Sequence, residues 1–270
     1  MKTFTGLLLA LGLTLACIPA AQGQSRLDDV VRIDVLDGGL TKRGTYQAAL
    51  RLTLADGWKT YWRAPGDAGI PPQFFWSGSK NVGKTSISWP TPYVFEQNGL
   101  RSVGYKDQLV LPVEITRENS NRPVQLRGAV QLGVCREVCV PAELVFDRRL
   151  AGAGTDRGTI AAAMADRPYS RDEAGVTSVS CRLDPIPDGL RVTARIAMPH
   201  SGGTEFAIVE PGIAEIWASE AKVARAGGIL TVSSDLVHLQ NKPYALDRSA
   251  LRFTVLGRHH AVDIRGCSAN

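Results

Sequence analysis

The feature that most constrains the fold is a series of short strand-like runs that recurs between residues 30 and 146. Turn residues separate the runs, as in Asp37-Gly38-Gly39 and Pro65-Gly66-Asp67, and no helical pattern of about 10–15 residues interrupts them. Short strands at this spacing predict an antiparallel β-sandwich. The runs are Val31–Leu36, Gln47–Leu54, Gln73–Trp76, Ile87–Trp89, Leu109–Ile115, Val124–Val134 and Val138–Phe146.

The same pattern returns in the C-terminal part of the chain. Residues 151–156 are small or polar, and the Ala-rich segment Thr159–Ala165 predicts one short helix. Further strand-like runs between residues 176 and 264 predict a second sandwich. A length of 270 residues is also typical of two domains. The predicted domains are residues 24–149 and 173–270, and the predicted linker is residues 150–172.

The N-terminus predicts export from the cytoplasm. Residues 1–23 combine a positively charged start, the apolar run Gly6–Ala16 and the small-residue cleavage pattern Ala21-Gln22-Gly23, which together are typical of a secretory signal peptide. The run is shorter than the roughly 18–20 apolar residues that a membrane span needs. Lipid attachment at Cys17 is disfavoured, because the preceding Thr14-Leu15-Ala16 fits a lipoprotein motif poorly. We therefore expect a periplasmic protein without direct membrane insertion.

Composition and charge exclude several classes of partner. Apolar residues make up 44% of the chain and charged residues 21%, as in a folded globular protein. The net charge of +5 is spread along the chain, which argues against nucleic-acid binding. Gly78–Thr85 matches the phosphate-loop pattern GxxxxGK[ST], but a β-type run ending at Pro90 follows it where a helix is required. We interpret this segment as a surface loop and expect no nucleotide.

The histidines give no sign of a metal centre or a hydrolase. They show neither HExxH nor the Cys/His spacing of a zinc site, and no GxSxG motif is present. We therefore expect no metal and no cofactor. The four residues are His200, His238, His259 and His260.

Four cysteines remain after the signal peptide, and disulfides can form and persist outside the cytoplasm. Cys135 and Cys139 flank a predicted tight turn, and a bridge across so small a loop contributes only about 2 kcal/mol. A bridge from Cys181 to Cys267 would close nearly the whole second domain and contribute about 4–5 kcal/mol. The long-loop pair suits a structural role. For the short-loop pair, spacing alone leaves open a redox pair, a static hairpin staple and metal ligation.

Several motifs in the first domain resemble one known family. Taken together and in this order, they are similar to the N-terminal periplasmic domain of the DsbD/ScsB thiol:disulfide interchange proteins, over about residues 30–147. The motifs are Gly57–Gly69 (GWKTYWRAPGDAG), Trp89-Pro90-Thr91-Pro92, Gly104-Tyr105-Lys106-Asp107, Leu111-Pro112-Val113 and Val134–Pro141 (VCREVCVP).

The resemblance implies a fold, a site and partners. It implies an immunoglobulin-like sandwich in which Cys135 and Cys139 are the catalytic redox pair, with Cys139 forming mixed disulfides. Electrons would come from a membrane-embedded thiol reductase and pass to periplasmic thioredoxin-like proteins. The family covers its disulfide with a loop, here Tyr93–Leu100, where Tyr93 or Phe95 could supply an aromatic lid. Ordinary core or edge aromatics are the alternative for these two residues.

The chain also departs from the family. DsbD and ScsB continue into a membrane domain and a thioredoxin-like domain, whereas we expect this chain to be free-standing, as an electron-relay type of thiol-disulfide oxidoreductase. The second domain matches only weakly, at Phe206–Pro211, so its role is not implied. The alternative function is a non-catalytic periplasmic binding or copper-handling module with static disulfides. Only Met164 and Met198 follow the signal peptide, which disfavours a Met-rich copper site. Aromatic residues of the first motif, Trp58, Tyr61 and Trp62, are expected in the core.

Overall fold

The computed structural model describes residues 27–97, 99–152 and 154–269. The predicted signal peptide and Cys17 lie outside these residues. Within the described part, no helix is long and apolar enough to cross a membrane. The elements are β1 (Val31–Leu40), β2 (Tyr46–Leu54), β3 (Lys59–Tyr61), β4 (Gln73–Phe75), β5 (Thr85–Ile87), β6 (Tyr93–Gln97), β7 (Leu100–Lys106), β8 (Gln108–Ile115), β9 (Val124–Cys135), β10 (Cys139–Leu150), α1 (Arg157–Ala165), β11 (Tyr169–Ser170), β12 (Ser178–Ile186), β13 (Gly189–Ala197), β14 (Phe206–Glu210), β15 (Ile216–Ala218), β16 (Lys222–Ala226), β17 (Ile229–His238), β18 (Arg252–Leu256), β19 (Ala261–Arg265) and β20 (Ser268–Ala269).

Strands β1 to β10 form the first sandwich. One sheet has the order β1-β2-β8-β5, and the other has the order β10-β9-β3-β7-β6, with β4 also paired to β9. Alternation of side chains along each strand buries one face, as in β2, where Leu50 and Leu52 are buried and Arg51 between them is partly exposed. The largest fully buried side chains of this sandwich are Trp62, Leu50, Leu111, Ile115, Leu126 and Leu150.

Strands β11 to β20 form the second sandwich. One sheet has the order β11-β19-β18-β14, and the other has the order β15-β17-β13-β12-β20, with β16 also paired to β17. Along β17 every second residue is buried, which is the pattern of a sheet with one face in a core. Its largest fully buried side chains are Phe253, Ile196, Leu230, Leu236, Leu251 and Ile264.

The predicted all-β fold with two sandwich domains is confirmed, and three details differ. The predicted cover loop Tyr93–Leu100 is part of the β6–β7 hairpin, because β6 pairs antiparallel with β7. Strand β7 also pairs with β3. Two short strands, β11 and β20, pair in parallel with β19 and β12. The helix begins two residues before the predicted start at Thr159. Gly78–Thr85 forms the connection into β5, with a strand after it as the sequence predicts.

The predicted linker is built into both sandwiches. Ile160 of α1 is buried against Leu36 and Ala49 of the first sandwich. The backbone N–H of Asp37 donates to the Asp156 carboxylate just before the helix. A few residues later, β11 pairs with β19 of the second sandwich. The exact domain limits therefore stay a prediction, because residues 150–172 contact both sides.

A buried ion pair joins the two sandwiches. The Arg63 side chain, just after β3, donates two hydrogen bonds of 2.9 Å to the Glu210 carboxylate at the end of β14. The two side chains are only 14% and 20% exposed. Burial lowers the pKa of Arg63, although Glu210 acts in the opposite direction. Phe206 and Ile208, also on β14, pack against the core of the first sandwich. The two domains therefore share apolar as well as charged contacts.

We expect Glu210→Gln to destabilise the chain by about 1–3 kcal/mol, because it leaves the Arg63 guanidinium largely buried without a counter-charge. The loss is measured as the change in free energy of unfolding in urea. Glu118→Gln is the matched control, since Glu118 is exposed and its carboxylate makes no ion pair among the described residues. Equal stability of both variants and the parent would contradict the importance of this junction.

Candidate functional site

The site begins with the hairpin of β9 and β10. The antiparallel register places Cys135 and Cys139 directly opposite each other at its end, with a Cα–Cα distance of 4.1 Å. Arg136-Glu137-Val138 closes the turn between them. A short Cα separation across paired strands brings two cysteine side chains within bonding reach. The two sulfur atoms are joined in a disulfide.

The two cysteines differ sharply in exposure. Cys135 is 2% exposed, whereas Cys139 is an exposed residue. The apolar side chains beside Cys139 are also open to solvent, with Val138 72% and Val140 39% exposed. One end of the disulfide therefore faces the surrounding solution beside apolar groups, and the other end is enclosed by the sandwich.

Tyr61 is the residue that touches both sulfur atoms. Its hydroxyl oxygen lies 2.9 Å from Cys135 Sγ and 3.1 Å from Cys139 Sγ. The same hydroxyl lies 3.2 Å from the carbonyl oxygen of Ala68, to which it donates. Burial raises the pKa of the Tyr61 hydroxyl, so the group stays protonated and remains a donor at neutral pH. Tyr61 thus places an O–H group against the disulfide.

A loop and two glycines bring Tyr61 and the disulfide together. A Cβ atom on Gly133 would lie 2.9 Å from Ile70 Cβ, and one on Gly69 would lie 2.9 Å from the Tyr61 ring. Both positions therefore need glycine for the loop 65–70 to pack so closely on β3 and β9. The Pro65 carbonyl accepts a 2.9 Å hydrogen bond from the backbone N–H of Val103, which fixes the start of this loop.

The β6–β7 hairpin carries the two predicted lid residues. Tyr93 is 55% exposed and Phe95 is partly buried, with 6.3 Å between their ring centroids. Lys106 Nζ lies 5.6 Å from the Tyr93 ring and Lys59 Nζ lies 5.1 Å from the Phe95 ring. Lys59 itself pairs with Cys135 in the sheet. The Phe95 ring thus rests against a lysine that neighbours Cys135, and the role of both rings as a lid stays a prediction.

The tip of the same hairpin reaches the cysteine loop. Gln97 accepts a 3.1 Å hydrogen bond from Lys59 Nζ and donates a 3.5 Å hydrogen bond to the carbonyl oxygen of Arg136. Arg136 in turn lies with its guanidinium 5.5 Å from the Trp58 ring. Burial lowers the pKa of Lys59. Polar contacts therefore connect the hairpin tip to the segment between the two cysteines.

The second pair of cysteines lies in the second sandwich, and Cys267 is partly buried. Cys181 lies on β12 and is fully buried, and it forms a disulfide with Cys267, which precedes β20. The bond links one edge of the sheet to the C-terminal segment. Among the described residues, no group of three or more His, Cys, Asp or Glu side chains is arranged to hold a metal ion.

Tyr61 is the functional contact that sequence reasoning missed. Trp62 is fully buried, as expected, and Trp58 is only partly buried. Tyr61 is buried too, as expected for a core residue, but its hydroxyl also contacts both sulfur atoms of the disulfide. Side-chain alternation along β3 is the sequence feature that could have identified this contact. Tyr61 lies on the same face of β3 as Lys59, and Lys59 pairs with Cys135.

These features define a class of protein. A β-sandwich with an exposed and a buried cysteine at one hairpin end is the frame of a thiol-disulfide interchange domain. Residues 34–149 match the family described as "Thiol:disulfide interchange protein DsbD, N-terminal". The match agrees with the expected limits of about residues 30–147.

One solved structure has the same fold. The N-terminal periplasmic domain of ScsB from Proteus mirabilis superposes with a TM-score of 0.70 at 21% sequence identity, over 90% of this chain and 95% of that one. The likeness therefore extends through both sandwiches. The reduced DsbD N-terminal domain from Neisseria meningitidis is also 21% identical, over 43% of this chain and 83% of that one, with a TM-score of 0.26. No curated protein matches the sequence.

We expect mild dithiothreitol to open the Cys135–Cys139 bond well before the Cys181–Cys267 bond. Cys139 is exposed, whereas Cys181 is fully buried and closes a far longer loop. Alkylation followed by peptide mass spectrometry should label the first pair while the second stays bridged. Simultaneous labelling of all four cysteines, or earlier labelling of the second pair, would contradict the difference in accessibility.

Proposed function

We propose that the protein is a periplasmic electron relay that works through the Cys135/Cys139 dithiol-disulfide. The observation that carries this proposal is the asymmetry of the pair, with one exposed and one buried cysteine whose sulfurs both contact a single tyrosine hydroxyl. A relay needs one thiol that a partner can reach and a second thiol that only its neighbour can reach. A static staple has no use for this division.

The disulfide is reduced first. A thiolate of the electron donor attacks Cys139 Sγ, the exposed sulfur, and Cys135 leaves as a thiolate. The donor's second thiol then attacks the donor's first sulfur in the mixed disulfide. The bond to Cys139 breaks, and Cys139 is released as a thiol. The donor ends as a disulfide, and two electrons and two protons have passed to Cys135 and Cys139.

The acceptor is reduced in the reverse order. The Cys139 thiolate attacks the disulfide of the acceptor and forms a mixed disulfide, while the acceptor's other sulfur leaves and takes up a proton. Cys135 then attacks Cys139 Sγ, which restores the internal disulfide and releases the acceptor as a dithiol. The 4.1 Å Cα separation keeps Cys135 within reach throughout.

Tyr61 supports both half-reactions. A hydrogen bond to a thiolate favours the charged form and so lowers the pKa of that thiol. The hydroxyl lies close enough to each sulfur to donate to whichever of the two is a thiolate. Tyr61 therefore stabilises Cys135 and Cys139 as leaving thiolates when the pair is reduced and as attacking thiolates when the pair reduces the acceptor.

The remaining assignments follow from this function. Tyr93 and Phe95 form a lid on the Cys135 side of the pair, beside Lys59, and leave Cys139 open to a partner. Cys181 and Cys267 form a structural bridge, and residues 24–149 form the redox domain. The donor is a membrane-embedded thiol reductase and the acceptors are periplasmic thioredoxin-like proteins. The predicted signal peptide and the periplasmic ScsB domain that shares the fold both support this location.

We expect the reduced Cys135→Ser variant to accumulate mixed disulfides with oxidised thioredoxin-like proteins of a periplasmic extract. Without Cys135, release depends on the partner's own second thiol. The complexes should be visible on a non-reducing gel and should vanish on reduction. The matched variant Cys139→Ser keeps only the buried thiol and should trap far less.

Two results of this comparison would contradict part or all of the proposal. Equal trapping would remove the distinction between the two cysteines but leave a redox pair. No trapping by either variant, with every thiol confirmed reduced before mixing, would contradict the relay. The binding-module alternative with a static disulfide would then explain the hairpin.

A further inference from the structure

The loop 65–70 is held from both sides by neighbouring residues. On its inner side, the Ala68 carbonyl accepts a hydrogen bond from Tyr61, whose hydroxyl touches the disulfide. On its outer side, the Asp67 carboxylate accepts a 3.1 Å hydrogen bond from the indole N–H of Trp217, which lies on β15 of the second sandwich. One loop therefore connects the disulfide of the first domain to a side chain of the second.

The Tyr61 hydroxyl has a single proton and three acceptors within reach. Sulfur in a disulfide is a weak acceptor, so in the oxidised protein the proton goes mainly to the Ala68 carbonyl. A thiolate is a much stronger acceptor, so reduction draws the proton toward sulfur. The Ala68 carbonyl then loses its partner, and leaving it unsatisfied has a free-energy cost.

The loop has room to relieve that cost if it is released. A cleft of about 730 Å³ lies between the two sandwiches, and Asp67 and Trp217 both line it. Asp67 is exposed and Trp217 is 38% exposed. On its outer side the loop therefore borders open space as well as the indole, so the Asp67–Trp217 hydrogen bond is a main restraint there.

We propose that Trp217 is a positioning residue for the redox pair, and that the second domain sets the stability of the reduced form by holding the loop 65–70 in place. The proposal rests on the relay function of Cys135 and Cys139. Holding the loop fixes the Ala68 carbonyl as a competitor for the Tyr61 proton, which disfavours the dithiol. Coupling of this kind is reciprocal, so reduction also weakens the hold of Trp217 on Asp67.

Other contacts between the domains do not involve this loop's acceptors. The Arg63–Glu210 pair is buried at the junction, and Arg101 of β7 forms an ion pair with Glu220. Removal of the Trp217 N–H therefore leaves the sandwiches attached. Glu220→Gln gives a matched control, because it removes a contact between the domains but leaves Asp67 bound.

The test is the thiol-disulfide equilibrium of Cys135/Cys139 in glutathione redox buffers at neutral pH, measured by alkylation and mass spectrometry. Trp217→Phe keeps an aromatic ring and removes the N–H donor. We expect it to shift the equilibrium about two- to fivefold toward the dithiol, the effect of about one hydrogen bond. In a Tyr61→Phe background the same substitution should have no effect, because the competing donor is gone.

Asp67→Ala is a second variant in case Trp217→Phe folds poorly. It should shift the equilibrium in the same direction, and Asp67→Asn, which keeps an oxygen acceptor, should shift it less. Three results would overturn the role of Trp217 and leave the relay function standing. They are an unchanged equilibrium in Trp217→Phe, an equal shift in the Tyr61→Phe background, and an equal shift in Glu220→Gln. A parent protein whose pair stays oxidised in every glutathione buffer would overturn the relay function and, with it, this inference.

Discussion

The cross-strand pairing of Cys135 with Cys139 is the constraint on which the rest of the site depends. The register of β9 and β10 fixes the two residues opposite each other and closes the disulfide over a short loop. Because that hairpin lies at the end of the sandwich, one sulfur is enclosed and the other is exposed. A shift of one strand's register by one residue would turn its cysteine side chain to the other face of the sheet, away from the cysteine of its partner. The strand pairing thus determines the accessibility of each thiol.

The second constraint is the way the first sandwich is held against the second. The charged pair of Arg63 and Glu210 lies at the end of β3, only two residues after the tyrosine that touches the sulfurs. The loop that follows packs back on Tyr61 and extends to Trp217. Groups from the first sandwich therefore surround the redox site, and contacts from the second sandwich hold the adjacent loop in place. The ScsB domain from Proteus mirabilis has the same fold over both sandwiches, so the two-domain arrangement is not peculiar to this chain.

Much of the architecture could be predicted from the sequence, and the limits of that prediction are physical. Alternating apolar residues identified long strands such as β2 and β9, because alternation reports directly on a half-buried sheet. The β6–β7 hairpin was not predicted, since Gly99 and Gly104 interrupt the pattern; the close approach of Thr60 explains why Gly104 has no side chain. The cysteine pair was found through its spacing and its family motif. The contact of Trp217 with Asp67 joins residues 150 positions apart and depends on domain packing, which local sequence does not encode.

The reduction potential of the Cys135/Cys139 pair tests the central claim most directly. It is obtained by equilibrating the full chain with dithiothreitol or glutathione redox buffers, then alkylating the free thiols and quantifying the peptides. A relay must accept and donate electrons among thioredoxin-like proteins, so the account predicts a potential above about −300 mV, within the range of such proteins. A potential well below about −300 mV would mark the bond as a structural disulfide and contradict the relay.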